Sequence, residues 1–161
     1  MTVIKEVYET AIVPALALLP TRMRDQRAVV MMIAIGLQES RLIHRRQIGG
    51  PAKGLFQFER GGGVRGVLNH NSTRELSRSI CTGMMGTDEL NAVYDELEFS
   101  DQLAAVFCRL LLWTDPKSLP AIGDVQGAWD LYIRTWRPGK PHRGTWDALY
   151  VQAVDFVESL N

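Results

Sequence analysis

Residues 28–59 read AVVMMIAIGLQESRLIHRRQIGGPAKGLFQFE. The stretch Ala28–Leu37 is uninterruptedly apolar or glycine, and it stops abruptly at Gln38-Glu39-Ser40. From about Arg24 to Gln38 the chain is apolar nearly all round after its first turn, the mark of a helix in the middle of a core. A buried β-strand would show the same composition, but the length favours a helix. From Ser40 to Gly63 the helical period is lost. Gly49, Gly50, Pro51, Gly54 and the run Gly61–Gly63 mark turns, so a short β-hairpin or an irregular loop should follow the central helix. Gly61–Gly63 reads as a hinge before the next helix.

Outward from this segment the signals are helical. Val3, Ile4, Val7, Tyr8, Ala11 and Ile12 recur at helical spacing within Thr2–Leu19, where Pro14 should kink or divide the helix. On the other side, Ser72-Thr73-Arg74-Glu75 fits a capping box for a helix ending near Gly83 or Gly86, and Thr87-Asp88-Glu89 opens another. Ser100 should cap a second apolar helix, Leu103–Trp113, stopped at Asp115-Pro116. Asp124 should cap Val125–Trp136, which Arg137-Pro138-Gly139 ends, and Thr145 should cap a last helix running to about Leu160. No repeat or linker interrupts the chain. The expectation is one mainly α domain over 1–161, of about seven helices.

At 161 residues the chain can bury a sizeable core without metal or disulfide. Its 18 basic and 18 acidic residues cancel, so no overall field recruits nucleic acid or an anionic membrane. Local charge is another matter. Arg41, Arg45, Arg46, Lys53, Arg60 and Arg65 crowd the central segment, which reads either as a solvated loop or as a surface for an anionic or hydroxyl-rich ligand. Cys81 and Cys108 lie far apart, without CxxC spacing or clustered histidines, so free buried thiols are expected and neither a zinc site nor any other metal or cofactor is implied. The apolar run Ala11–Leu19 is short, contains Pro14 and follows Glu6 and Glu9, which argues against a signal peptide or membrane insertion.

Glu39 is the residue that needs explaining. A carboxylate at the carboxyl end of an apolar helix is partly desolvated and sits at the negative end of the helix dipole, and both effects raise its pKa above about 4.3. A carboxyl group kept protonated near working pH can protonate a glycosidic oxygen and then act as base. The competing reading is a salt bridge from Glu39 to Arg41 or Arg45. Gly54-Leu55-Phe56-Gln57-Phe58 follows: glycine admits close approach of a sugar, Gln57 offers an amide, and Phe56 or Phe58 offers an apolar face, one of the two belonging to the core.

Glu39-Ser40 followed by Gly54-Leu55-Phe56-Gln57-Phe58 resembles the Glu-Ser and Gly-Leu-Met-Gln-Ile signature of the lytic transglycosylases with a lysozyme-like fold. The resemblance is strong over about 20 residues and loose elsewhere. It implies a lysozyme-like domain in which Glu39 is the sole acid/base, Ser40 helps to orient it, and Gly54, Leu55, Gln57 and Phe58 line the sugar groove. The family also places a tyrosine near the glutamate, usually in an Ala-Tyr-Asn context. The nearest match is Tyr132 in Ala128-Trp129-Asp130-Leu131-Tyr132, with no Asn after it, and Trp129 and Trp136 stand as sugar-stacking or core alternatives.

The reaction type turns on a second carboxylate. Hydrolases place one at about 5–5.5 Å or 6.5–9.5 Å from the acid, and Glu59 is the nearest in sequence; Arg60 and Gly61 beside it suggest instead a turn and a surface ion pair. With Glu39 alone, the sugar's own 6-hydroxyl or N-acetyl group takes the place of water and 1,6-anhydro ends result. The resemblance therefore implies cleavage of the β-1,4 bond between N-acetylmuramic acid and N-acetylglucosamine in peptidoglycan glycan strands. The alternatives are a true lysozyme using Glu59 and a non-catalytic glycan-binding or virion-structural protein. It further implies a monomeric bacteriophage endolysin or virion-associated enzyme, made in the host cytoplasm without a signal peptide and delivered to the periplasm by a holin or the virion. The basic, aromatic-containing segment 134–143 suits either nucleic acid or the anionic lactyl-peptide side of the glycan. His44, His70 and His142 form no nucleophilic constellation.

Overall fold

The computed structural model describes residues 2–161, and among them helices account for the architecture, with no strand. The first rod is α1 (Thr2–Val7), a π turn (Tyr8–Ile12) and α2 (Val13–Ala17) end to end. Its π turn ends two residues before Pro14, which lacks an amide hydrogen and would crowd the preceding turn; widening that turn lets the rod pass the proline without breaking.

The central helix α3 (Gln26–Ser40) begins two residues later than its apolar pattern suggests, because Asp25 caps it by accepting from the Arg27 amide. Every residue from Ala28 to Leu37 is buried. The helix ends with Arg41 and Leu42 both left-handed, at φ 58° and 59°, and the Leu42 amide reaches back to the Gly36 carbonyl at 3.3 Å. A Cβ on Gly36 would lie 2.3 Å from the Leu42 side chain, so the glycine makes room for this reversal.

Residues 43–59 form the irregular loop rather than a hairpin, with isolated antiparallel bridges joining Arg46 to Lys53 and Lys53 to Phe58. Outside the bridges, ion pairs hold the loop to the neighbouring helices: Arg45 to Asp101, Arg46 to Glu98 and Lys53 to Asp95. A second π turn (Arg60–Val64) then runs into α4 (Arg65–Asn69), so Gly61–Gly63 is wound helix and not a hinge. Next come α5 (Arg74–Met85), α6 (Leu90–Glu96), α7 (Asp101–Trp113), α8 (Val125–Trp136) and α9 (Arg143–Ser159). α3 packs most extensively against α9, and α7 contacts the first rod, α3, α4, α5 and α8.

Two expected caps hold: Ser100 accepts from Leu103 and Asp124 from Gly127. Two do not. Thr73, not Ser72, precedes α5, and its hydroxyl bonds the Val67 carbonyl across the turn while Ser72 bonds His70. Thr145 lies inside α9, which starts at Arg143, and its hydroxyl reaches Gln38. Glu89 caps α6 through its carboxylate. Both cysteines are free and buried; burial pushes the Cys81 thiol up to about 12 and the Cys108 thiol well above its ordinary value.

Adjacent glycines in the second π turn meet different surroundings. A Cβ on Gly63 would sit 2.5 Å from the Phe58 ring, which is wedged against Phe107 and Trp136, whereas one on Gly62 would meet nothing nearer than 4.0 Å. Alanine in a helix gains about 1 kcal/mol over glycine, while overpacking a core costs about 1–3 kcal/mol. Urea unfolding should therefore find Gly62→Ala slightly more stable than the parent and Gly63→Ala less stable by about 1–2 kcal/mol.

Candidate active site

Glu39 occupies the last turn of α3, where the buried helix meets the surface, and its side chain is half-buried. It forms no ion pair with Arg41 or Arg45. Arg41 turns back on the Leu37 and Gln38 carbonyls, and Arg45 is engaged by Asp101. Instead the Tyr132 hydroxyl donates a hydrogen bond to Glu39 Oε2. Burial raises the Glu39 pKa; the Tyr132 bond pulls it back in part, and the nearby charge of Glu59 pushes it up again. Burial, then the Glu39 charge and the shared bond, keep the Tyr132 phenol protonated, so the tyrosine is a fixed donor.

Tyr132 is held by aromatic packing. Its ring stacks on Trp146 of α9, with centroids 5.2 Å apart and planes 8° from parallel, and Trp129 lies tilted against both. Trp146 is fully buried and its indole N–H donates to the Val125 carbonyl. Thus α3 supplies the acid, α8 its partner, and α9 the plate that orients the partner.

The motif residues divide sharply. Ser40 is buried and does not touch the Glu39 carboxylate; its hydroxyl donates to the Leu55 carbonyl at 2.6 Å and accepts from the Leu42 amide at 3.1 Å. It pins the groove wall to the end of α3. Leu55 is fully buried and Phe58 is 2% exposed, so both expected sugar contacts belong to the core, Phe58 lying edge-on to Phe107. Phe56 is buried as well. Gly54 is buried at φ 81°, and a Cβ there would lie 2.6 Å from the Leu97 carbonyl; its openness serves a backbone crossing, not a sugar.

Gln57, Glu59 and Trp136 do reach solvent in the groove. Gln57 has a left-handed backbone, φ 54°, and its side-chain amide donates to the Gly54 carbonyl at 3.0 Å, leaving the amide oxygen for a ligand. The Trp136 indole N–H donates to the Phe56 carbonyl at 2.9 Å, which ties the end of α8 to the same wall. Glu59 is exposed and extended; it makes no ion pair among the described residues and does not cap the π turn that follows it. Arg60 points instead to Asn91.

These residues separate two connected hollows. One, of about 640 Å³, contains Glu39 and Tyr132 with the 46–52 loop and the 137–142 segment as its sides. The other, about 830 Å³, lies beyond the glycine turn and α8. Gln57, Glu59, Trp136 and Arg137 line both, so the carboxyl group stands in one half of a groove that continues past it.

The basic segment 134–143 does reach the groove. Arg137, left-handed at φ 48°, and Lys140 and His142 make the segment after α8 a wall of the groove. Gln38 ties it down by donating to the His142 carbonyl and accepting from Thr145. Among the described residues no group of three or more His, Cys, Asp or Glu is placed to hold a metal ion, and no helix is long and apolar enough to cross a membrane.

No family model, curated protein or solved structure matches the chain.

If Glu39 must be protonated to act, activity falls as pH rises through its raised pKa. Tyr132→Phe removes a bond that favours the carboxylate, so this alkaline limb should move to higher pH; Glu59→Gln removes a repelling charge and should move it lower, most visibly at low salt. A pH–rate series on both variants checks the two directions. The same shift acts on stability. Because the folded-state pKa of Glu39 is raised, its contribution is full below the unfolded pKa and is lost as pH rises through the folded value. Glu39→Gln should consequently melt higher than the parent near pH 7, and the gap should close at pH below about 4.

Proposed function

We propose that the protein is a peptidoglycan lytic transglycosylase, with Glu39 as its only acid/base. The observation that carries this reading is a half-buried carboxyl group with a raised pKa, free of any arginine ion pair and bonded to a tyrosine, in a hollow that meets a second, larger one across Gln57, Glu59 and Trp136. Such a groove suits a polymer cut within its length, with sugar rings lying on both sides of the reacting bond.

In this mechanism Tyr132 occupies Oε2, and the proton on Glu39 Oε1 is delivered to the glycosidic oxygen as the bond from C1 breaks. The positive charge that develops on the ring is met by the newly formed carboxylate. Glu39 then accepts the proton of the C6 hydroxyl as that oxygen attacks C1, which closes the 1,6-anhydro ring and returns the acid to its starting state. No second carboxylate is consumed. Gln57 and Trp136 are the ligand contacts of the wall, while Ser40, Gly54, Leu55 and Phe58 are positioning residues behind it.

One observation favours a second reading, a hydrolytic muramidase: Glu59 lines the same groove as Glu39 and its charge is felt there. Purified sacculi incubated with the protein separate the two. Mass spectrometry of the soluble fragments should show 1,6-anhydro ends; reducing ends would establish hydrolysis. Glu39→Gln should lower release by about 10²–10⁴-fold, with binding to sacculi retained. Glu59→Gln should keep most of the activity under the first reading and lose it under the second. Binding without any release by the parent would leave a non-catalytic glycan-binding protein.

A further inference from the structure

Arg109 on α7 is 2% exposed, and its guanidinium is only partly hydrogen-bonded. Nε donates to the Met23 carbonyl at 2.8 Å, while Nη1 has no hydrogen-bond partner among the described residues. No salt bridge joins it to a carboxylate within that set. A buried guanidinium with an unmet donor is costly, since the charge has left water without a counter-charge in contact. Burial accordingly lowers its pKa.

The residue borders a separate cavity of about 390 Å³, between the turn before α3 and the segment after α7. The Trp113 ring collects two cations there, with the Arg22 and Arg109 guanidinium carbons 5.6 Å and 5.5 Å from its centroid. Lys117 and Arg27 complete the basic lining. Two carboxylates are present and both are engaged: Asp25 is chelated by Arg27, and Asp115 by Arg134 from the neighbouring groove. Arg22, Arg109 and Lys117 form no ion pair among the described residues. In a chain of zero formal net charge, the excess of positive charge at this cavity is local.

We propose that this cavity is an oxyanion-binding site, in which a carboxylate or phosphate group is held by Arg109 and Arg22 with Lys117 at the mouth. Arg109 lines the cavity with a guanidinium that no carboxylate pairs, and Arg22, packed on the same Trp113 ring, adds a second guanidinium for a group with two or more acceptor oxygens. The cavity shares Asp115 and Pro116 with the larger half of the groove, so the oxyanion has two sources: free phosphate, or a carboxylate carried by a polymer lying in that groove.

Inorganic phosphate titrated into the full chain at constant low ionic strength, against chloride, tests this by calorimetry and by the Arg Nε–H resonances. Saturable binding that perturbs the Arg109 signal, absent with chloride, is expected. Arg22→Gln with Lys117→Gln, both on the rim, should weaken it at least tenfold with the melting temperature otherwise kept. Arg109→Lys, which retains charge but loses the fork, should weaken it too. Competition distinguishes the sources: muropeptides with free stem carboxylates displace phosphate if the polymer is the ligand, whereas amidated ones do not, and failure of both assigns the site to the free anion. Equal effects of chloride and phosphate, or binding indifferent to the Arg22/Lys117 pair, would overturn the proposal and leave a solvent-filled cavity. Nothing in the measurement requires turnover, so it can fail or succeed independently of the transglycosylase reading.

Discussion

A carboxyl group brought to the edge of water by a helix that is otherwise sealed in the core is the constraint on which the rest of the structure depends. Glu39 loses solvation at the end of a helix whose residues Ala28–Leu37 are all buried, and that loss raises its pKa. A lone desolvated carboxyl would still be free to swing. The Tyr132 hydroxyl removes that freedom, and the Trp146 plate removes the tyrosine's own. The acid is thus oriented by stacking on α9, the helix with which α3 shares its largest contact. Packing and chemistry are supplied by the same pair of elements.

The wall of the groove follows a similar economy. Ser40 and the Trp136 indole each bind a backbone carbonyl of the 54–58 segment, Leu55 and Phe56 respectively. Two side-chain donors therefore fix a loop that has no ladder of its own. With Leu55, Phe56 and Phe58 pointing into the core, the loop presents Gln57 outward through one left-handed residue. The outer part, residues 45–53, is held by the Arg46–Lys53 bridge, by hydrogen bonds within the loop and by solvent-facing ion pairs, the last individually worth about 0–1 kcal/mol and screened by salt.

How much of this was legible in the sequence depends on the range of the interaction. The apolar run, the caps at Ser100 and Asp124 and the stop at Asp115-Pro116 are local signals, and the helices they predict are present. Glu39 was legible too, because burial along one helix can be read from that helix alone. What a residue touches across the fold could not be read. Gly54 looked like space for a sugar and is space for the Leu97 carbonyl; Phe58 looked like a stacking face and is a core wedge. Ser72 looked like a cap because four residues fitted a pattern, yet Thr73 won through a bond to Val67. Tyr132, although no Asn follows it, does meet Glu39, while Trp146, with no motif around it, is its support.

The burial of α3 on all sides has one more consequence. Its side chains can be exchanged for others of similar bulk, since each needs only to fill its space. Its length cannot change so freely. Each residue added or removed between Asp25 and Glu39 would rotate the terminal carboxyl by about 100° and shift it 1.5 Å along the axis, away from Tyr132 and out of the groove. Drift along this lineage should therefore be read in the identities of residues 28–37 other than Gly36, and not in their number.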